Sequence, residues 1–310
     1  MLYHKVKFDH IKTLKNIIMI KNAYLPILLF LAVLVSSCDN DDDDSTSGTG
    51  NLTLNLTGLE QLGPDYAYEG WIIVNGAPES TGVFTSVEFP QSFDVPAQLL
   101  EQATTFVLSI EPAVDNDPAP AATKILVGDF SGNTASVSTD VIGDFSNSSG
   151  QYILATPTDG ENNNENSGIW FLNPNGPTAG LDLPVLSDGW KYEGWVVIDG
   201  QPVSTGTFTN VAATDDSAIY SGPMPLPSPN GTDGFFPGED FLLNAPAGLT
   251  FPTDISGGTA VISVEPYPDN SDAPFILKPL VGNIPANAVD HTPYSMNLEL
   301  SGLSGGTVTR

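Results

Sequence analysis

The sequence predicts an all-β protein: two tandem β-sandwich domains, Ig-like or related, behind an N-terminal targeting segment and an acidic linker. Three observations carry that expectation. An eighteen-residue stretch, YEGWIIVNGAPESTGVFT (Tyr68 to Thr85), returns as YEGWVVIDGQPVSTGTFT (Tyr192 to Thr209). A second pair, FVLSIEPAVDNDPAPAATKILVG (106–128) and AVISVEPYPDNSDAPFILKPLVG (260–282), aligns without a gap. Beyond Gly50 the chain reads as short apolar alternations broken by Gly, Pro, Asn and Asp, with no amphipathic helix of useful length.

The first element is a leader. LPILLFLAVLVSSC (25–38) is an apolar run too short for a comfortable membrane span, followed at once by DNDDDD. A charged n-region, an apolar h-region and small residues before a cut describe a secretory signal. Val35-Ser36-Ser37-Cys38 resembles the lipobox of bacterial lipoproteins, which implies cleavage before Cys38, acyl chains (palmitate among them) on that residue, and a membrane anchor through lipid. Residues 1–37 are read as the signal peptide, with Met19 as an alternative start, and 38–50 as the lipidated cysteine plus an acidic, Ser/Gly-rich linker. Asp39 to Asp44 serve as a solvated spacer, or as the kind of acidic address that sends some lipoproteins to the outer surface. The predicted location is the bacterial cell envelope, at the outer membrane.

Charge narrows the partners. Of nine basic and 37 acidic residues, five and one respectively precede Cys38, which leaves four basic and 36 acidic residues. Such a surface repels phosphate backbones and anionic headgroups, so nucleic acid is excluded and only the lipid can hold the chain to a membrane. The single cysteine cannot form an internal disulfide.

Within the repeats, Asn75-Gly76 and Asp199-Gly200 supply the positive φ angles of a two-residue hairpin turn. Pro78 and Pro202 suit edge strands that lack one donor. Trp71 and Trp195 are predicted to be buried, which makes the motif scaffold rather than a binding site. In the second pair, Phe106, Leu108 and Ile110 (or Ala260, Ile262 and Val264) form one strand face, ended by Glu111-Pro112 or Glu265-Pro266. Lys124 and Lys278 follow each glutamate by thirteen residues, and cross-strand pairs Glu111–Lys124 and Glu265–Lys278 are inferred. Repeat one is placed at 51–178 and repeat two at 179–310. The second copy carries an insertion at about 221–254, expected as a surface loop, and its Phe235, Phe236, Glu239 and Asp240 are the candidate contact for a partner protein.

The paired motifs resemble the extracytoplasmic C-terminal domain of the anti-sigma-K factor family. There a Trp-containing strand leads into G-x-P-V-S-x-G-x-F, and a later strand reads VSxEP. GQPVSTGTF (200–208) matches the first, GAPESTGVF (76–84) matches it with Glu79 in the valine position, and LSIEP (108–112) and ISVEP (262–266) match the second. The resemblance implies an outside-facing β-domain of sensory, protein-binding or structural type. Family members also carry a cytoplasmic zinc-type helical domain and a transmembrane helix. This chain shows neither, so direct contact with a sigma factor is not expected.

Chemistry finds little to work with. After Cys38 the one histidine is His291, and a triad with Asp290 would require a serine in reach. It reads as a loop residue, and one imidazole makes a transition-metal site improbable. Asp115, Asp117, Asp269 and Asp272 place oxygens on equivalent loops that could suit calcium, but without EF-hand spacing, so turn-forming side chains are the default reading. The expected role is non-catalytic, without a cofactor: a lipid-anchored binding or structural module of the envelope. A sensory component of an anti-sigma system and a surface glycan-binding lipoprotein using Trp170, Trp190, Phe235, Phe236 and Tyr267 are the alternatives.

Overall fold

The computed structural model describes residues 48–160, 162–226, 235–269 and 271–310; Cys38 and the acidic run lie outside the described residues. In chain order the first half supplies β1 (Thr49–Thr57), β2 (Tyr66–Val74), β3 (Ala77–Phe84), β4 (Gln91–Pro96), a short helix α1 (Ala97–Gln102), β5 (Ala103–Pro112), β6 (Lys124–Ser131) and β7 (Thr134–Ser138). Next come β8 (Ser149–Leu154), β9 (Gly168–Trp170), β10 (Leu172–Asn173), β11 (Thr178–Ala179) and β12 (Leu181–Asp182). The second copy continues with β13 (Trp190–Ile198), β14 (Gln201–Phe208), β15 (Gly238–Asp240), β16 (Thr259–Pro266), β17 (Leu280–Asn283), β18 (Tyr294–Leu298) and β19 (Gly305–Thr309).

These strands make two antiparallel sheets, so the all-β expectation holds. The first runs β3-β2-β5-β6-β7-β19-β1-β4, and the second β14-β13-β16-β17-β18-β8-β9-β15 with β12 also on β8. β10 and β11 form a separate two-stranded ribbon. Each sheet nearly closes on itself. A Cβ on Gly82 of β3 would sit 3.0 Å from the Phe93 ring of β4. In the second sheet, Asp215, just beyond β14, accepts the amide of Gly238 in β15 at 2.8 Å.

The local rules act as the sequence suggests. Asn75 and Gly76 adopt φ of 52° and 82°, Asp199 and Gly200 52° and 84°, so both hairpins turn in two residues. Pro78 and Pro202 fall on β3 and β14, each at the end of its sheet. Ladder register slips at Gly70/Trp71 and at Gly194/Trp195. A Cβ there would lie 2.5 Å from Thr81 Oγ1 in the first copy and 2.3 Å from Thr205 Oγ1 in the second, so only glycine fits. Inside each curl Tyr68 stacks on Phe84 (5.6 Å) and Tyr192 on Phe208 (5.5 Å). Their hydroxyls donate to the carbonyls of Glu60 and Pro184, at equivalent positions of the repeat. Most buried apolar residues of both copies form one continuous core, and Ile153, Ala155 and Trp170 make a small second cluster.

Two features depart from the expected layout. β8 and β9, sequence-adjacent to the first copy, belong to the second sheet, and β19 belongs to the first. The insertion at about 221–254 is also more than a surface loop. Phe236 to Leu242 are buried and contain β15, which ends the second sheet as β4 ends the first. A curled sheet needs that strand to cover its core, so the chain must pass inward here.

Candidate binding groove

The outer faces of β2 and β5, and of β13 and β16, carry the same polar chain. Trp71 Nε1–H donates to Ser109 Oγ at 2.8 Å, and Trp195 Nε1–H to Ser263 Oγ at 2.8 Å. Each serine hydroxyl in turn donates a hydrogen bond to a buried carboxylate, Glu111 or Glu265. That carboxylate also accepts a loop amide, Ala121 N–H at 2.8 Å or Phe275 N–H at 2.9 Å. One strand over, Ser80 and Ser204 donate to Glu69 and Glu193. Strand periodicity explains the set, because Glu69 lies opposite Ser109 and Ala67 opposite Glu111, all on one face. Trp71 and Trp195 are therefore buried and hydrogen-bonded, as an indole in a sheet must be.

The lysines do not pair with these glutamates. Lys124 Nζ donates to the Ala121 carbonyl at 3.0 Å, and Lys191 pairs with Asp216 (3.1 Å), while His291 Nδ1 lies 3.3 Å from Asp290. The inferred Glu111–Lys124 and Glu265–Lys278 pairs are thus corrected: neutral serine and amide donors bond one oxygen of each acid instead. Lys278 acts electrostatically on Glu60, not on Glu265. The consequence is electrostatic. Burial pushes Glu265 up to about 8 against the hydrogen bonds from Ser263 and Phe275, with Asp269 and Glu193 adding repulsion. Burial raises Glu193 to about 7 and lifts Glu111 as well. Glu265 Oε2 has no hydrogen-bond partner.

The loops that supply those amides wall a cleft of about 580 Å³ between the two copies. Tyr66, Ile110, Pro112 and Ala121 to Thr123 come from the first copy, with Leu62 and Pro64 from the segment after β1. Pro266, Tyr267, Pro268 and Phe275 come from the second. The lining is mainly apolar, and Glu60, Asp65 and Asp269 supply its charge. Gly189 of the second copy packs directly on the first, since a Cβ there would lie 2.8 Å from the Ala122 carbonyl carbon and from Thr123 N. Tyr267 is 53% exposed, with Lys191 Nζ 4.0 Å from its ring centroid. The position equivalent to Tyr267 in the first copy is Ala113, and their amides donate equivalent bonds: Ala113 N–H to Asp65 O, Tyr267 N–H to Gly189 O.

The remaining sequence candidates fall elsewhere. Phe236, Glu239 and Asp240 are buried, and Phe235 is half-buried. Asp240 accepts Thr158 N–H and Trp170 Nε1–H at 2.8 Å each, and Glu239 accepts Ser221 Oγ–H. These acids hold β15 to its neighbours, so as a partner contact they are corrected to scaffold. Asp115 accepts the amide of Asp117, Asp117 that of Ala119, and Asp269 that of Ser271, all as side-chain turns; Asp272 is exposed. Among the described residues no group of three or more His, Cys, Asp or Glu is placed to hold a metal ion. His291 sits in a turn at φ 51°, exposed, its amide donating to Leu154 O. Trp170 and Trp190 are buried, and no stacking platform joins them to Tyr267. Sequence reasoning missed the cleft because its lining comes from three separated segments; the signal that existed was Ala113 becoming Tyr267 in an otherwise matched loop.

No curated protein and no solved structure matches the chain. Residues 44–125, which contain both motifs of the first copy, match the family described as anti-sigma-K factor rskA, C-terminal.

Proposed function

We propose that this chain is a non-catalytic, lipid-anchored protein of the bacterial envelope whose two anti-sigma-K-like copies act together as one binding body. Its bound partner is a segment of another envelope protein, seated in the cleft between the copies. The observation that supports this is the cleft itself: it is apolar, bears three carboxylates, and exists only where both copies meet. Those features suit a segment with apolar side chains flanked by lysine or arginine, because a surface this acidic attracts cations. The anchor rests on Cys38 and its flanking signal.

A photo-crosslinking residue in place of Tyr267, carried by the lipidated chain in cells, tests the reading. A discrete adduct is expected that Leu62→Asp abolishes and that the same residue at exposed Val289 does not form. Equal labelling from both positions sinks it. A second reading, a sensory part of an anti-sigma system, is favoured by the family match over 44–125. It requires that deleting the gene change transcription from a neighbouring sigma factor's promoters. In that role too the contact would be outside the cytoplasm.

A further inference from the structure

β7 is followed in sequence by β8, and β18 by β19, yet neither pair is joined in a ladder. β19 lies between β7 and β1, and β8 lies against β18. The registers are equivalent. Ala135 faces Val308 and Val137 faces Gly306 in the first sheet; Tyr294 faces Tyr152 and Met296 faces Gly150 in the second. Flanking sequence agrees, since SSGQYI (148–153) and SGGTVT (304–309) are in step with those registers, and Ser148 and Ser304 are both buried. Each copy has therefore given its closing strand to the other copy's sheet. Exchange of an identical element is the relation that otherwise joins two chains in a swapped dimer.

We propose that the slot between β7 and β1 is a strand-acceptor site, and that Gly305–Thr309 of a second copy of this chain fills it in trans, linking molecules by strand exchange. Every contact β19 makes within its own chain is available to the same strand arriving from another. The choice between the two is then set by effective concentration and by the hinge, not by the ladder. The hinge is suited to opening: Leu298 to Gly302 are exposed, and the segment meets the core again at Leu303 and Ser304. In the slot β19 pairs on both sides, with Val308 fully buried, so the added strand gains both main-chain bonds and core packing.

Full-length chains carrying Cys38→Ser test it. Ser136 and Thr307 are exposed and face each other across β7 and β19, within the span a disulfide can bridge. The double variant Ser136→Cys/Thr307→Cys is expected to close within one chain and run as a monomer. The two single variants, unfolded together and refolded at about 10 µM to about 1 mM, are expected to give a mixed disulfide dimer. Its yield should rise roughly tenfold per tenfold in concentration until it approaches the millimolar range of a tethered strand. Mixed dimer no more abundant than the Ser136→Cys self-dimer at every concentration overturns the proposal. So does failure of the double variant to close in cis.

Discussion

Glu265 is 1% exposed, holds one oxygen without a partner, and has two acids as its electrostatic neighbours. Its folded value, about 8, lies above the ordinary glutamate value near ~4.3. The folded state therefore binds the proton more tightly. That contribution is full below about pH 4 and is lost as pH rises through about 8. Glu265→Gln keeps the shape and cannot ionise, so it should raise stability at about pH 8.5 by on the order of 5 kcal/mol and change little at about pH 4. Thermal melts at the two pH values check it; equal shifts at both would refute the buried-acid account. The indole above it is the second test. Trp195→Phe removes the donor to Ser263 and should cost about 2 kcal/mol in a denaturant titration, with Trp71→Phe costing a similar amount. Both tryptophans were legible as buried from the repeated GW in a strand. The state of the glutamates was not, because scarce lysines at a constant thirteen-residue spacing suggested ion pairs, while the serine two residues before each glutamate was the actual partner.

At the scale of elements, close approach rather than propensity decides which residues are fixed. Gly306 in β19 has φ 147°, and a Cβ there would lie 2.3 Å from Asn55 O in β1. Gly306→Ala should therefore destabilise the protein by at least about 2 kcal/mol. Gly132→Ala, at a turn with φ 63° and open space around it, should cost only about 1 kcal/mol. Unfolding midpoints of the two variants compare them directly, and similar losses would mean that β19 does not press on β1. The hairpin turns were readable in Asn75-Gly76 and Asp199-Gly200 because that chemistry is local. β15 was not, since three residues inside a proline- and glycine-rich insertion carry no alternation, and their place is set by the sheet they complete.

On the scale of the whole molecule, the two copies share one core and trade strands. Calorimetry should therefore show a single unfolding transition in place of one per copy; two resolved transitions would contradict the shared core. The pH dependence should also be global. Burial raises Asp215 to about 8, alongside Glu193 and Glu265, and each of these loses its stabilising proton as pH rises through 7–8. Against partial burial, Asp216 is held below its usual range by Thr207 and the Lys191 ammonium and Asp254 by Ser256 and Asn166, so their contribution is lost only as pH falls to and below ordinary carboxylate values. The melting temperature should thus fall between about pH 5.5 and about pH 8.5. Gene doubling was plain in the letters, but which copy owns which strand was not: SSGQYI and SGGTVT look alike to either neighbour.

That ambiguity bears on how the molecule is made. While a nascent chain emerges, β7 meets β8 long before β19 exists, and the local hairpin is the faster closure. The native arrangement places β8 in a sheet that has yet to appear, while β1 has only β4 and β7 only β6 as a neighbour until β19 has been synthesised. A cell producing this protein must keep an unfinished sheet from finding strangers, and the arrival of β19 decides when that vigilance can end.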